Sequence, residues 1–332
     1  MTDLNVLIGG LSPAHALQSG SQNYRAAFIT AAASVFPPKE REAILRERFF
    51  VPEATPFSTE PFIQAASELS VAHGIIRSQG VTAFETEKQV NPTNDKDVDV
   101  FYRVTGVNVA LEVKCAVEPK PTEGALVFKT AGRIPEYKTT YTDLKGRIET
   151  VHHDKTVALG KNKDNTMKDF LVSAHEKFSP KSDFGDLNLL LVACGYYFNI
   201  QEWWYHLYGT EGLFTDQSFY PPEQYALVDA VLLTNLKYWH SEARDQHDWT
   251  MQNVFVLPCL NPRRRQSATA ESIINGLRVF NHHLRGFGDY TPTSDDPEVP
   301  NDVLQMVAVN SYVAEHLPET ERTRYFPIKL NH

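Results

Sequence analysis

Three polar residues stand in two apolar segments at positions where they can do chemistry together. Asp99 belongs to the segment 97–104, and Glu112 and Lys114 belong to the segment 107–117. Side chains of a strand alternate between its two faces, so Glu112 and Lys114 share one face of the second segment. Only two residues, Thr-Gly, separate the segments, and this pair is typical of a hairpin between neighbouring strands. We therefore predict that Asp99 and Glu112 converge on one spot, with Lys114 beside them.

The chemistry that Asp99 and Glu112 predict is the binding of a divalent cation. Two carboxylates that face each other in a largely buried sheet are costly unless a cation lies between them. Hard oxygen ligands select Mg²⁺ or Mn²⁺, which bind through few carboxylates and keep waters and substrate phosphate oxygens. A lysine beside such an ion can orient or deprotonate a water, or offset phosphate charge. The three residues therefore suit metal-assisted attack on a phosphodiester.

The elements around these residues predict an α/β fold, a mixed central β-sheet flanked by helices. Phe62, Ala66, Leu69 and His73 recur at helical spacing and form one buried stripe, with Glu68 at its border and His73 as a core histidine. After this helix we predict strands at 81–90, 97–104 and 107–117, a helix at 165–178 and a strand at 187–198. The order of helix, three strands, helix and strand indicates a layered α/β sheet protein.

We divide the chain into three parts. Residues 1–57 are predicted to form an N-terminal helical extension, residues 58–260 the core, and residues 261–332 a C-terminal helical extension with a helix at 301–316. The stretch 118–165 has scattered Pro, Gly, Thr and charged residues and is predicted to be an insertion in the core. The two extensions are expected to supply substrate recognition or the contacts of a homodimer.

The pattern of residues resembles the PD-(D/E)xK nuclease superfamily, which includes restriction endonucleases, repair nucleases and defence effectors. It rests on the run Asp97-Val98-Asp99-Val100 and the run Glu112-Val113-Lys114, whose glutamate lies thirteen residues after Asp99. The element order over residues 58–198 is similar to that family's, and it implies a restriction endonuclease-like core of the order αβββαβ. Lys96, rather than a proline, precedes the aspartate pair, and the pair leaves open whether Asp97 or Asp99 is the ligand. We favour Asp99.

The resemblance also implies roles for the residues. Asp99 and Glu112 would bind Mg²⁺ or Mn²⁺ together with the main-chain carbonyl of Val113. Lys114 would handle the water and the transition-state charge, and Glu68 would ligate or position a second metal. The implied function is a Mg²⁺-dependent DNA endonuclease of a restriction, defence or mobile-element type. The alternatives are an RNA-cleaving or toxin-like nuclease with the same site, and a non-catalytic nucleic-acid-binding or assembly protein that retains the fold.

The charge distribution suggests where nucleic acid would bind. The chain carries a net charge of -9, but residues 114–181 hold 13 Lys and Arg against 9 Asp and Glu. Candidate phosphate contacts are Lys161, Lys163 and Lys168 in this stretch, and the triplet Arg263, Arg264 and Arg265 further on. Each cluster is equally consistent with a solvated surface. Phosphate contacts would make binding steeply dependent on salt.

Cysteine usage and hydropathy bear on the location of the protein. No run approaches the roughly 18 apolar residues of a membrane helix, and the first residues lack the basic start and long apolar centre of a secretory signal. Cys115, Cys194 and Cys259 each lie in an apolar run, which predicts buried thiols rather than a disulfide framework. We expect a cytoplasmic protein with no membrane partner.

Overall fold

The computed structural model describes residues 4–50, 59–116, 126–129, 137–151, 157–160, 163–180, 185–195, 197–252 and 254–280. These residues form one mixed six-stranded sheet with helices packed on both faces, together with a separate sheet of two strands. The α/β class and the mixed sheet flanked by helices are therefore as the sequence predicts.

The bounds of the elements are as follows. The helices are α1 (Leu4–Gly9), α2 (Ala16–Ser19), α3 (Gln22–Val35), α4 (Arg41–Arg48), α5 (Thr59–Arg77), α6 (Tyr137–Val151), α7 (Lys163–Lys177), α8 (Tyr197–Tyr208), α9 (Leu236–Ser241) and α10 (Ala270–Gly276). The strands are β1 (Val81–Gln89), β2 (Asp97–Val104), β3 (Val107–Cys115), β4 (Leu126–Lys129), β5 (Val157–Gly160), β6 (Leu187–Ala193), β7 (Ala230–Thr234) and β8 (Val256–Leu260).

The large sheet has the strand order β1-β2-β3-β6-β7-β8. Strands β1, β2 and β3 form an antiparallel meander, β6 pairs parallel with β3, β7 pairs parallel with β6, and β8 closes the far edge antiparallel to β7. The turn between β2 and β3 is the predicted two-residue hairpin. Both of its residues, Thr105 and Gly106, have positive φ (47° and 84°), the backbone that this tight turn requires. The hairpin fixes the register that brings the candidate site together.

Two hydrophobic clusters cover the two faces of the large sheet. Helices α3, α5 and α9 pack on one face, and α7 and α8 pack on the other. Every residue of β6 and of β7 is buried, which explains their continuous apolar sequences, because these strands have no solvent face. The site residues of β2 and β3 belong to the face that α7 covers.

Helix α8 corrects one predicted element. The apolar run 187–198 was expected to be a single strand, but β6 ends at Ala193 and α8 begins at Tyr197. Hydrophobicity alone does not separate a buried strand from a buried helix, so the end of such a run is not readable from the sequence. Trp203 and Trp204 of α8 are buried in the hydrophobic cluster that α8 shares with α7.

The predicted extensions pack directly on the core wherever the structure describes them. The indole nitrogen of Trp249 donates to the carbonyl of Tyr24 in α3, and the two rings pack 5.0 Å apart. At the other end, Gly276 of α10 accepts a hydrogen bond from the hydroxyl of Tyr102 in β2. A Cβ on Gly276 would lie 2.7 Å from Cδ2 of Leu187, so a larger residue here would require the Leu187 side chain to shift. The predicted helix 301–316 lies outside the described residues.

The predicted insertion 118–165 contains regular structure. Strands β4 and β5 pair parallel to form the small sheet, and α6 lies between them in sequence. As predicted, Cys115, Cys194 and Cys259 are buried free thiols. In the described part of the chain, no helix combines the length and apolar character that a membrane crossing needs.

A buried histidine pair ties α3, α5 and α9 together. His240 Nδ1 lies 2.9 Å from the hydroxyl of Tyr24, and His240 Nε2 lies 2.9 Å from the hydroxyl of Ser70. The rings of His240 and His247 are 4.5 Å apart. Burial, reinforced by the neighbouring His247, holds the pKa of His240 well below 6.5, and burial lowers the pKa of His247 to about 4. Both histidines are therefore neutral in the folded protein at pH 7.

We expect acid to destabilise the fold through this pair. Below about pH 6.5 the unfolded histidines bind protons that the folded ones do not, so the free energy of unfolding falls as the pH drops toward 4. His247 contributes a loss of roughly 2 kcal/mol between pH 7 and pH 5, and His240 acts in the same direction. His247→Phe should remove the loss of stability that His247 contributes between pH 7 and pH 5, as measured by urea unfolding at both pH values. An unchanged difference between the two pH values in the variant would contradict this role of His247.

Candidate active site

Asp99 and Glu112 converge around one ammonium group. Lys177, in the last turn of α7, places Nζ 2.7 Å from Glu112 Oε1, 2.8 Å from Glu112 Oε2 and 3.9 Å from Asp99 Oδ1. Lys114 Nζ lies 2.6 Å from Glu112 Oε1. Because a single nitrogen reaches both carboxylates, one cation can bind them together. Asp97, the alternative ligand, is exposed at the start of β2.

The carboxylate of Asp99 sits where β2 and β3 stop pairing. Their backbone register ends at the pair Val100 and Leu111. Beyond it, the amide of Val113 donates to Asp99 Oδ2 at 2.6 Å instead of to a carbonyl of β2. The side chain thus replaces the missing backbone partner, and it fixes the Asp99 carboxylate beside Glu112, the residue before Val113.

Gln64 of α5 supplies the next missing hydrogen-bond partners of the β3 backbone. Its Oε1 accepts from the amide of Cys115 at 2.6 Å, and its Nε2 donates to the carbonyl of Val113 at 3.0 Å. One carboxamide therefore takes the place of a peptide group of a neighbouring strand. The carbonyl of Val113, a predicted metal ligand, keeps its second lone pair. Gln64 was not predicted, although it precedes Glu68 by four residues and so shares its helix face.

Glu68 lies at the rim of the site in a network of its own. Its carboxylate pairs with Arg48 of α4 and accepts a hydrogen bond from Gln64 Nε2 at 2.5 Å. Arg48 also pairs with Glu87 of β1 at 3.1 Å. Glu68, Arg48, Glu87 and Asp99 line one small cavity. Glu68 thus borders the same space as Asp99, but a guanidinium already balances its charge.

Burial controls the electrostatics of the pair. Glu112 is fully buried, whereas 20% of the Asp99 side chain is exposed. Burial and, next, the charge of Glu112 raise the pKa of Asp99 to about 7, against the opposing influence of Lys177, the Val113 amide and Lys114. Asp99 therefore exchanges its proton near neutral pH.

The donor set fits Mg²⁺ or Mn²⁺ better than a metal that needs a complete protein cage. No group of three His, Cys, Asp or Glu side chains suited to a metal occurs within the described ranges. Mg²⁺ needs only one or two carboxylates and completes its shell with water and substrate oxygens. Glu112 Oε1 is buried and accepts no hydrogen bond of good geometry, although two ammonium groups lie at ion-pair distance. The oxygen is a hard donor of the kind that Mg²⁺ prefers, and the two ammonium groups neutralise it in the metal-free protein.

The predicted lysine contacts to nucleic acid have protein partners. Lys163 forms an ion pair with Glu202 at 2.5 Å. Lys168 is buried, with its ammonium 5.0 Å from the ring centre of Tyr220 and 3.4 Å from Asp169. Lys161 lies outside the described residues. For Lys168 the structure corrects the prediction, because its buried ammonium faces the protein.

The arginine triplet is also engaged with the protein. Arg263 pairs with the exposed Asp216 at 3.1 Å, and Arg264 donates to main-chain carbonyls of its own loop. Arg265 binds the fully buried carboxylate of Asp229, with Nη2 2.5 Å from Oδ2 and Nε 3.2 Å from each oxygen. Arg265 is therefore a structural partner of Asp229 rather than the predicted phosphate contact.

Comparison with models of protein families, with curated proteins and with solved structures found no match to this chain. The site is accordingly defined by its own residues. It consists of two carboxylates, Asp99 and Glu112, two ammonium groups, Lys114 and Lys177, and the carboxamide of Gln64 that holds the strand beside them.

Arg265→Ala should strongly destabilise the protein. The substitution leaves Asp229 buried without its counter-charge, and we expect the free energy of unfolding to fall by about 3–5 kcal/mol. Arg263→Ala, which breaks an exposed ion pair with Asp216 and an exposed hydrogen bond to the carbonyl of Thr215, should lower it by no more than about 1 kcal/mol. Urea unfolding of the two variants measures both values. Equal, small effects would show that Arg265 does not stabilise Asp229.

Asp99→Asn should stabilise the metal-free protein at alkaline pH. Above pH 7 the folded protein holds an ionised Asp99 whose pKa is raised to about 7, whereas the unfolded residue ionises near 4. The amide removes this cost and still accepts from Val113, so at pH 8 we expect a gain of roughly 1–3 kcal/mol that shrinks toward pH 5. Urea unfolding in EDTA tests it, with the exposed Asp97→Asn as control. A loss of stability at pH 8 would contradict it.

Proposed function

We propose that the protein is a Mg²⁺-dependent nuclease of the PD-(D/E)xK type that hydrolyses phosphodiester bonds, with DNA as its substrate. One observation carries the proposal: Asp99 and Glu112 converge beside Lys114 at the point where β2 and β3 separate. Structural ion pairs alone would not require two carboxylates to share a buried spot, since each raises the cost of ionising the other.

The order of the elements supports the same proposal. Helix α5, strands β1 to β3, helix α7 and strand β6 follow one another in the order αβββαβ, with β4, α6 and β5 inserted between β3 and α7. This is the order that the resemblance to restriction endonuclease-like proteins implies. The order of the elements alone does not define an activity, so we infer hydrolysis from the residues of the site.

The residues divide the chemistry among them. A bound Mg²⁺ would supply charge stabilisation for the phosphate and a water of lowered pKa. Asp99 and Glu112 would hold the metal, together with the main-chain carbonyl of Val113. Lys114, anchored on Glu112, points its ammonium to the same spot and can orient the attacking water or offset charge on the phosphate. Gln64 fixes β3 in the position that aligns these groups.

The pKa of Asp99 links metal binding to pH. Because a carboxyl must lose its proton to bind a metal, affinity for Mg²⁺ or Mn²⁺ increases as the pH rises through about 7. Cleavage is expected to follow the same trend. Glu68 in this proposal positions Gln64 rather than ligating a second metal, because Arg48 neutralises its carboxylate.

Two alternatives share the fold. An RNA-cleaving or toxin-like nuclease would use the same site, and only the substrate separates it from a DNA endonuclease. A non-catalytic nucleic-acid-binding or assembly protein would keep the fold without cleavage. The retention of both carboxylates and Lys114 favours catalysis. We place the protein in the cytoplasm, and we infer that its extensions serve recognition or homodimer contacts.

Lys114→Ala should lower cleavage at least 100-fold while metal binding persists, because Asp99 and Glu112 remain as ligands. Purified protein is incubated with plasmid DNA, single-stranded DNA and RNA in Mg²⁺, Mn²⁺ or EDTA. Metal binding is read separately from the increase in melting temperature that Mn²⁺ produces.

Two comparisons make this experiment decisive. Glu112→Ala should lose both cleavage and the thermal response to Mn²⁺, whereas Lys39→Ala, an exposed lysine between α3 and α4, should retain both. Equal cleavage by the wild type and Lys114→Ala would reject the site. Metal binding without cleavage of any substrate would favour the non-catalytic alternative.

A further inference from the structure

Lys177 is the charged residue of the site that the sequence did not predict. It ends α7, a helix whose apolar side chains Met167, Leu171 and Ala174 pack on the sheet face that carries Glu112. This packing directs the ammonium to the carboxylates, where only 19% of the Lys177 side chain remains exposed. The contact is therefore built into the fold rather than made by a free surface lysine.

The charges of the metal-free site are already balanced. When Asp99 is ionised, Asp99 and Glu112 supply two negative charges, and Lys114 and Lys177 supply two positive ones at ion-pair distance. A divalent cation added to this arrangement would leave an excess of two positive charges in a largely buried space. Like charges so close together repel strongly where water is excluded. Metal binding therefore requires one ammonium to leave.

The geometry distinguishes the two lysines. Lys114 contacts one oxygen of Glu112 and stands on a strand whose backbone is paired with β6 at that position. Lys177 contacts both oxygens of Glu112 and also reaches Asp99. The ammonium of Lys177 thus lies against Glu112 on the side of Asp99, in the space that a cation bound by both carboxylates would have to enter.

We propose that Lys177 is a built-in counter-ion that occupies the metal position and is displaced when Mg²⁺ or Mn²⁺ binds. The inference rests on the proposed metal site and adds a regulatory element to it. Lys177 stabilises the metal-free fold by neutralising Glu112, and in doing so it lowers the affinity for metal. Once displaced, its ammonium has lost its carboxylate partners, and the phosphate of a substrate offers it new ones.

Lys177→Met tests this competition because methionine keeps the length and apolar stem of lysine without its charge. We expect the Kd for Mn²⁺ to fall at least tenfold and the melting temperature of the metal-free protein to decrease. Lys177→Arg, which keeps the charge, should bind Mn²⁺ as weakly as the wild type. Isothermal titration with Mn²⁺ measures the affinities.

Lys163→Met is the matched control. It removes the same charge from the same helix, but Lys163 lies 14 positions away, about 21 Å along the helix axis, and pairs with Glu202. A general electrostatic effect would increase the affinity for Mn²⁺ in both variants, whereas displacement of Lys177 predicts an increase only in Lys177→Met.

A second measurement needs no substitution at Lys177. Brief acetylation of the wild-type protein, followed by peptide mass spectrometry, reports how accessible each amine is. Lys177 should be protected in EDTA and become at least several-fold more reactive in Mg²⁺, while the exposed Lys39 reacts equally in both. Unchanged protection of Lys177 in saturating Mg²⁺ would overturn the inference.

The outcomes separate this inference from the proposed function. If the wild type and Lys177→Met bind Mn²⁺ with equal affinity, the counter-ion role is wrong and the metal site stands. If neither binds Mn²⁺, the metal site fails and the counter-ion role fails with it. An increase in affinity in Lys163→Met equal to that in Lys177→Met would also overturn the displacement.

Discussion

The structure around the site depends on the burial of one carboxylate, that of Glu112. A fully buried carboxylate in the middle of a sheet requires neutralising partners, because removing a charge from water is costly. Lys114 supplies one partner from the same strand, and Lys177 supplies the other from α7. Apolar packing places α7 on the sheet, and this position lets Lys177 neutralise Glu112. Glu112 therefore links the packing of α7 to the charge balance of the site.

A second constraint is the separation of β2 from β3. Two strands that remained paired would leave no space for a carboxylate between them, and the site would not exist. The cost of separation is limited because Asp99 and Gln64 satisfy the backbone groups that lose their partners. The same side chains that repair the ladder also line the site. This explains why the polar residues cluster here, whereas β6 and β7 are mostly apolar, with Asn188 and Thr234 as their polar residues.

The sequence predicts the parts of this arrangement that follow from local pattern. Alternation and a two-residue turn are sufficient to bring Asp99, Glu112 and Lys114 onto adjacent strands, since the register of a tight hairpin is set by its turn. Lys177 and Gln64 were missed because their positions depend on how two helices pack against the sheet, which no periodicity encodes. The pairing of Arg265 with Asp229 was also not predicted. Asp229 lies 36 positions earlier in the sequence, and an ion pair so distant along the chain has no local signature.

Gln64 has a consequence for association of the protein with other chains. The end of β3 no longer pairs with β2. Without Gln64, its amide and carbonyl groups would form a short unpaired edge inside the six-stranded sheet. Such edges invite the addition of a strand from another molecule. The carboxamide of Gln64 occupies both the donor at Cys115 and the acceptor at Val113, and so it blocks this edge without a strand of its own. A helix side chain thus protects the end of β3 from edge-to-edge association with another chain.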